Sequence, residues 1–206
     1  MDDNAPREGF DYPPDGETIY RENRFELRRC MIDLHDGTTM ERGLIVHPGA
    51  VVLLPILEDG RIVLIRNRRW QVGKTILELP AGTMESDEPP LACAARELRE
   101  ETGYESGALE PWPTFYPLPG GSTEVMHPFI ARELNWVGQQ LEPDEDITVE
   151  TYTLTEVENL IRTGELVDGK SLAVLGRYLL LNRGATSAIA PIIEQLSSAP
   201  SSKQSA

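Results

Sequence analysis

The chain has 206 residues, enough for one domain of ordinary size and a small additional segment. Of these residues 40% are apolar and 26% are charged, as in soluble globular proteins, and no apolar run approaches the roughly 18 residues of a membrane span. The formal net charge of -15 argues against binding to a nucleic-acid backbone, which needs clustered Lys and Arg. A small phosphorylated substrate is compatible with this charge, since carboxylates bind divalent cations that then contact phosphates.

The N-terminal residues and the cysteines indicate the compartment. The first residues are acidic and polar, without the basic start and apolar stretch of a signal peptide. Cys30 and Cys93 are far apart and belong to no CxxC motif, so neither a disulfide framework nor a zinc site is indicated. We therefore expect a cytoplasmic protein with reduced thiols and no membrane partner.

The predicted elements begin with strands. Residues 1–17 are polar and contain two adjacent prolines, and we expect a flexible arm there. Residues 18–47 contain short alternating runs around a turn at residues 35–37, which predicts an antiparallel β region. Apolar runs separated by turn residues then predict three further strands, over residues 50–57, 61–66 and 75–79.

The clearest helix is predicted over residues 89–102. Two prolines suit its first turn, where a missing N–H group does no harm, and Gly103 is placed to end it. Leu91, Ala95, Leu98 and Thr102 lie along one helical face, which predicts the face that packs against the rest of the protein.

The rest of the chain predicts a strand-rich stretch, another strand, two helices and a flexible tail, over residues 112–134, 147–154, 155–163, 171–181 and 184–206. Thr155 and Glu158 have the spacing of a capping box at the start of the first of these two helices. Strands and helices mix without strict βαβ alternation. This favours an α+β arrangement, a mixed sheet with helices on its faces, over a doubly wound parallel sheet.

The long helix carries three carboxylates on one face, because Glu97, Glu100 and Glu101 are spaced i, i+3 and i+4. Like charges at this spacing destabilise a helix by a few tenths of a kcal/mol per pair. A hard divalent cation such as Mg²⁺ removes that cost, since it prefers oxygen ligands. The alternative is a solvated helix face on which Arg96 and Arg99 offset the repulsion without a metal.

A wider pattern around this helix decides between the two interpretations. Gly82 is followed by five residues and Glu88, then by seven residues and the segment RELREETGY, which ends at Tyr104. At every fixed position this pattern resembles the Nudix box, the loop–helix–loop signature of Nudix hydrolases. Seven fixed residues at set spacing match a given start by chance on the order of once in a billion, so the resemblance is specific.

The resemblance implies a fold and a set of catalytic residues. The implied fold is a Nudix α/β/α sandwich with a mixed sheet, over residues 48–183, beside the N-terminal antiparallel region. The implied cofactor is Mg²⁺, with Mn²⁺ as an alternative. Arg96 in this pattern holds the glutamates by ion pairing, and we expect it to act in catalysis together with Glu100. The implied metal ligands are Glu97, Glu100, Glu101 and the backbone carbonyl of Ala81.

The segments that flank the box resemble the ADP-ribose pyrophosphatase branch of the family. Pro119 lies fifteen residues after the box, where a proline marks that branch. The segment that follows Pro119 in the chain, which contains Gly120 and Glu124, resembles the substrate loop of that branch. The strand before the box, RNRRWQVGKTILELPAG, implies a phosphate contact for Arg69 and a position near the terminal ribose or the metal for Glu78.

The branch also implies a water-activating acid and a dimer. Its enzymes activate water with an acidic residue on a loop before a Val-Glu strand, and here we favour Glu145. Asp144 and Asp146 are alternatives, and a solvated acidic loop is the competing interpretation. Such enzymes form homodimers through their N-terminal strands, which we expect of residues 18–47. Arg28 is then a candidate contact for the adenine, with ordinary sheet packing as the alternative.

The expected reaction is the hydrolysis of ADP-ribose, a nucleoside diphosphate sugar, to AMP and ribose 5-phosphate. GDP-mannose or another nucleoside diphosphate sugar is the alternative substrate, because enzymes for these compounds share much of this architecture. A non-catalytic Nudix module that only binds a ligand is the third interpretation. The complete set of box glutamates disfavours it.

Overall fold

The structure, a computed structural model, describes residues 15–143 and 145–182. Its strands are β1 (Glu17–Arg21), β2 (Glu26–Asp33), β3 (Thr39–Val46), β4 (Ala50–Pro55), β5 (Ile62–Arg69), β6 (Lys74–Glu78), β7 (Ala81–Thr83), β8 (Tyr104–Pro111), β9 (Met126–Trp136) and β10 (Ile147–Tyr152). Its helices are α1 (Pro90–Thr102), α2 (Leu154–Thr163) and α3 (Gly169–Asn182). None of the described helices is long and apolar enough to cross a membrane. Most of the predicted arm and all of the predicted tail lie outside the described residues.

The first three strands form a sheet of their own, in the order β1-β2-β3, with antiparallel neighbours. A hydrogen bond from the N–H of Leu34 to the carbonyl of Thr38 (2.7 Å) closes the turn between β2 and β3. The Asp36 carboxylate accepts a further bond from the N–H of Thr38 (3.0 Å). The predicted N-terminal antiparallel region is thus confirmed, and we call it the N-terminal sheet.

Two further sheets carry the core. One has the order β10-β5-β6 and is antiparallel, and the other has the order β7-β4-β9-β8, in which β4 and β9 run parallel. Strand β4 is buried along its whole length and its side chains alternate between two layers. Val52 and Leu54 pack with residues of α2 and α3, whereas Val51 and Leu53 pack with residues of α1. Helices therefore cover both faces, which confirms the α/β/α sandwich with a mixed sheet.

The packing face of α1 differs from the predicted one. Leu98 and Thr102 are buried as expected, but Leu91 is 54% exposed and Ala95 is exposed. Cys93 and Ala94 are buried instead. The prediction was wrong for Leu91 and Ala95, because the buried face also carries two glutamates that line the functional cleft described below.

The start of α2 also differs from the prediction. Its N-cap is Thr153, whose hydroxyl accepts a hydrogen bond from the N–H of Glu156, while the Glu156 carboxylate accepts one from the N–H of Thr153. The predicted capping box of Thr155 and Glu158 is therefore wrong. The Thr-x-x-Glu pattern occurs twice with an offset of two residues, and the end of β10 at Tyr152 selects the first occurrence.

Strand β8 was not predicted, because its glycine and exposed glutamates interrupt the apolar alternation. Pairing with the edge of β9 stabilises it. Conversely, most of residues 112–125 lie outside strands, apart from single bridges such as that of Phe115 with Met126. Helix α3 begins two residues before the predicted start, where the Asp168 carboxylate accepts a hydrogen bond from the N–H of Ser171 (3.0 Å).

Candidate active site

A cleft of about 590 Å³ lies beside α1. Its walls come from distant parts of the chain: the turn between β1 and β2, strands β4, β5, β7 and β9, helix α1, the loop before β10 and the first turn of α3. Carboxylates outnumber cations on these walls, so the cleft favours cations, or anions that bind together with cations. Its charged lining residues are Arg24, Arg69, Arg96, Lys170, Glu85, Glu97, Glu100, Glu101, Glu124, Glu142 and Glu145.

Helix α1 brings the box glutamates (Glu97, Glu100 and Glu101) to this cleft. Pro89 is the N-cap of the helix and Pro90 is its first residue, and the helix ends at Gly103, whose φ of 75° is the left-handed conformation that favours glycine. Leu98 fixes the helix in the core. Glu97 and Glu101 are spaced one turn apart and are buried, with 7% and 3% of their surface exposed. They therefore lie at the boundary between the core and the cleft.

Arg96 is the centre of the charge network on α1. Its guanidinium donates two hydrogen bonds of 2.9 Å to the Glu88 carboxylate, and Nη1 donates to Glu97 (2.7 Å) and Glu100 (3.0 Å). The bonds from Arg96 hold the pKa of Glu88 down at about 2. Glu88 thus fixes Arg96, and Arg96 orients two of the box glutamates.

Burial makes a negative charge costly on the two inner glutamates. It raises the pKa of Glu97 to about 7 and the pKa of Glu101 to about 8. Repulsion from Glu145 adds to both shifts, whereas Arg96 opposes the first. A hydrogen bond from the N–H of Ala81 (2.8 Å) opposes the second. A cation placed among these carboxylates would relieve the repulsion.

Gly82 lies directly against one of these carboxylates. A Cβ atom at this position would be 1.8 Å from Cδ of Glu97 and 1.9 Å from its Oε1. The backbone of β7 therefore approaches the carboxylate more closely than any side chain would permit. This close approach is the physical reason for a glycine at the first position of the box.

The donor set fits a hard divalent cation. Within residues 15–143 and 145–182, no three His, Cys, Asp or Glu side chains are arranged so that they could hold a metal ion as they stand. Two box glutamates are turned toward Arg96, and the third accepts the N–H of Ala81. Carboxylate oxygens are nevertheless the ligands that Mg²⁺ and Mn²⁺ prefer, and crowded, buried carboxylates gain most from such an ion.

Two cations, Arg69 and Lys170, line the same cleft, and we call them the cation pair. Arg69 donates two hydrogen bonds of 2.7 Å to Glu78, and Lys170 donates to the same carboxylate. The Glu78 side chain is 1% exposed and is not among the described residues that line the cleft. It therefore fixes the cation pair from the side that faces away from the cleft. Lys170 was not predicted from the sequence as a site residue. A buried hydrogen bond from the N–H of Leu79 to the Ser171 hydroxyl (2.7 Å) joins α3 to the end of β6, and this places the neighbouring Lys170 at the cleft.

The loop before β10 brings an acid into the cleft. Glu145 lines the cleft, and its carboxylate accepts a 2.9 Å hydrogen bond from the N–H of Glu142. Asp146 is outside the described lining and pairs with Arg68 at 3.8 Å. Residue 144, the other alternative, lies outside the described residues. Of the two described alternatives, Glu145 is the one that shares the cleft with the box glutamates.

The other predicted substrate contacts fall into two groups. Glu124 lines the cleft. Arg28 is instead bonded to Glu26 of its own strand (3.0 Å), and the loop after residue 116 is exposed at its tip. Asn23 and Arg24, which were not predicted from the sequence, are the described residues of the N-terminal sheet region that line the cleft. No periodic pattern marks this turn. The predicted substrate contacts that are not among the residues lining the cleft are Glu78, Pro119, Gly120 and Arg28.

The fold and the cleft define the class of this protein. A model of the NUDIX domain matches residues 46–175, more than half of the chain, and the chain belongs to the Nudix family. It is 37% identical to an ADP-ribose pyrophosphatase of Bacillus subtilis, over 80% of this chain and 90% of that protein. It is 36% identical to a GDP-mannose pyrophosphatase of Citrobacter koseri, over 77% of this chain and 90% of that protein. A crystal structure of an ADP compounds hydrolase shares the fold with a TM-score of 0.70 at 20% identity, over 82% of this chain and 94% of that one.

Membership of this family defines the chemistry. The chain is a hydrolase that acts on pyrophosphate bonds. Nudix hydrolases generally use divalent metal ions, in agreement with the oxygen-rich donor set of the cleft. The choice of substrate depends on residues outside the box.

Proposed function

We propose that this chain is a Mg²⁺-dependent pyrophosphohydrolase that cleaves ADP-ribose to AMP and ribose 5-phosphate. The observation that carries the proposal is the meeting, in one cleft, of the buried Glu97 and Glu101 with the cations Arg69 and Lys170. A diphosphate substrate needs both groups. Protein cations bind its outer oxygen atoms, and the carboxylates would hold a divalent metal ion, which would neutralise phosphate charge.

The residues of the chain have separate tasks in this reaction. The cation pair, fixed by Glu78, binds and orients the diphosphate. The box glutamates, two of which Arg96 orients, and the carbonyl of Ala81 would hold Mg²⁺, which when bound would neutralise phosphate charge and make a bound water more acidic. Glu145 accepts a proton from the attacking water. The water oxygen bonds to one phosphorus, the P–O bond of the bridge breaks, and the departing phosphate takes the bridging oxygen.

The choice of ADP-ribose is supported by the Bacillus subtilis relative and by the segments that flank the box. The loop that contains Pro119, Gly120 and Glu124 resembles the substrate loop of the ADP-ribose branch. GDP-mannose is the second candidate, because the relative from Citrobacter koseri that is named for it is almost equally similar. Both substrates contain a diphosphate bridge, so the catalytic residues are the same for either.

We further propose that two chains pair through the N-terminal sheet, residues 18–47, and that residues 48–183 form the hydrolase domain. Ile19 and Met31 are half exposed or more, which supports a surface that a partner covers. Pairing gives Arg28, which is outside the cleft of its own chain, access to adenine bound by the partner. A cytoplasmic location is consistent with two buried cysteine thiols. Light scattering would measure the mass, and a single-chain mass would exclude the dimer.

Turnover of a substrate panel tests the proposed function. The panel contains ADP-ribose, GDP-mannose, ADP-glucose, FAD and a diadenosine polyphosphate, each with and without Mg²⁺, with the products separated by chromatography. We expect Mg²⁺-dependent release of AMP and ribose 5-phosphate, with the highest kcat/KM for ADP-ribose. A preference for GDP-mannose would keep the chemistry and replace the substrate. No turnover of any compound would overturn the proposal.

Two variants test the assigned roles. Glu101→Gln and Glu145→Gln should each fold normally and lower kcat by about 100-fold or more, because one removes a metal ligand and the other the proton acceptor. Glu110→Gln, exposed on β8, is the matched control and should retain full activity. Normal turnover in a folded Glu101→Gln variant would contradict the metal assignment.

A further inference from the structure

The turn between β1 and β2 reaches the cleft from the N-terminal sheet. The N–H of Glu22 donates to the carbonyl of Phe25 (3.0 Å), which closes the turn. Asn23 and Arg24 lie between them and line the cleft. The turn is therefore placed where it can contact the acidic loop before β10, more than a hundred residues later in the chain.

Arg24 forms an ion pair with that loop, because its Nη2 lies 3.5 Å from Oε2 of Glu142. Glu142 is in turn joined to Glu145 by two hydrogen bonds. The N–H of Glu142 donates to the Glu145 carboxylate (2.9 Å), and the N–H of Glu145 donates to the Glu142 carbonyl (3.0 Å). Arg24 thus holds the side chain of Glu142, and Glu142 fixes the position of the Glu145 carboxylate.

Backbone hydrogen bonds to the sandwich hold the acidic loop before β10 at its two ends, Gln140 and Asp146. The N–H of Gln140 donates to the carbonyl of Glu100 on α1 (3.0 Å), and the N–H of Arg68 on β5 donates to the carbonyl of Asp146 (3.1 Å). Between these two ends, an ion pair from Arg24 holds the loop at Glu142. Glu142 and Glu145 carry negative charge into a cleft that the box glutamates already make negative, and a cation offsets the repulsion.

We propose that Arg24 is a positioning residue for hydrolysis, which acts through Glu142 to hold Glu145 beside the box glutamates. The inference rests on the proposed function, in which Glu145 accepts the proton of the attacking water. Arg24 acts on the position of the acid. Its loss therefore lowers the rate of the chemical step and leaves substrate affinity almost unchanged.

Steady-state kinetics with Mg²⁺ and the best substrate of the panel test this role. Arg24→Gln and Glu142→Gln should each lower kcat about threefold to fivefold, the range of an exposed ion pair, with KM within about twofold of wild type. The double variant should be no slower than either single variant, and the charge swap Arg24→Glu with Glu142→Arg should recover kcat. Arg29→Gln is the matched control, since Arg29 pairs with Glu17 (3.0 Å) in the same sheet, and its kinetics should match wild type.

The opposite pattern would overturn the inference. If Arg24 contacts the substrate directly, Arg24→Gln raises KM, Glu142→Gln leaves both constants unchanged, and the charge swap does not recover activity. Multiplied effects in the double variant would also show that the two residues act independently.

Hydrogen exchange of the substrate-free protein separates this inference from the proposed function. The amide of Glu145, which donates to Glu142, should exchange about threefold faster in Arg24→Gln and at the wild-type rate in Arg29→Gln. Unchanged exchange in Arg24→Gln would overturn the structural link. Inactivity of the wild-type protein on the whole panel would overturn the proposed function. The exchange rates would still decide whether Arg24 holds Glu145 through Glu142.

Discussion

Replacing Gly82 with alanine should impair the metal site and preserve the fold. Gly82 is not among the described glycines with a positive φ, so alanine fits its backbone without strain. The new Cβ would lie 1.8 Å from the Glu97 carboxylate carbon, whereas ordinary contact begins at 3.4 Å, so that carboxylate must move by about 1.6 Å. It is the end of a flexible side chain and moves more easily than backbone would.

The displacement has a small effect on stability and a large one on activity. Glu97 loses its 2.7 Å hydrogen bond with Arg96, and the free energy of unfolding falls by about 1–2 kcal/mol. A catalytic group displaced by more than about 1 Å lowers the rate about 100-fold, and a disturbed ligand shell lowers metal affinity by about tenfold or more. We therefore expect kcat/KM to fall about 100-fold while the variant remains folded.

Three measurements check this expectation: thermal unfolding, calorimetric titration with Mg²⁺, and turnover of the best substrate. Gly43→Ala on β3 is the matched control, because a Cβ atom there meets nothing within 4 Å, and all three properties should stay at wild-type values. If folded Gly82→Ala retains Mg²⁺ affinity and turnover within about threefold of wild type, activity does not require Glu97 to lie against Gly82, and the reasoning is refuted.

Two further predictions concern buried charge. Glu78→Gln should lower the free energy of unfolding by about 2 kcal/mol and raise KM about tenfold, because Arg69 and Lys170 lose the carboxylate that fixes them. Urea unfolding and steady-state kinetics measure both, and an unchanged KM would contradict the substrate role of the cation pair. In the metal-free protein the pKa values of Glu97 (about 7) and Glu101 (about 8) exceed their ordinary 4.5, so the folded state binds more protons than the unfolded state. The free energy of unfolding should therefore fall as pH rises from about 4.5 through 8, and Mg²⁺ should stabilise more at about pH 8.5 than at pH 6. Urea unfolding with EDTA and with Mg²⁺ at both pH values checks this sign, which a flat metal-free profile would contradict.

Local spacing made the helix of the box and its carboxylates predictable. Glu97 and Glu101 face one way because an α-helix repeats every 3.6 residues, and Gly103 ends the helix because it adopts a left-handed conformation. Where local signals were ambiguous, the prediction failed. The capping pattern occurs twice before α2, and β8 lacks the alternation that marks a strand, since it is stabilised by the neighbour with which it pairs.

The sequence by itself determined the fold class, the family resemblance and the row of carboxylates on α1, because each depends on residues close together in the chain. The tertiary structure alone decided which other residues share the cleft. Arg24 and Lys170 lie almost 150 positions apart, and both line the cleft because Arg24 pairs with Glu142 in the loop before β10 and Lys170 pairs with Glu78 at the end of β6. The packing of elements far apart in the chain sets such contacts, and no local periodicity records them.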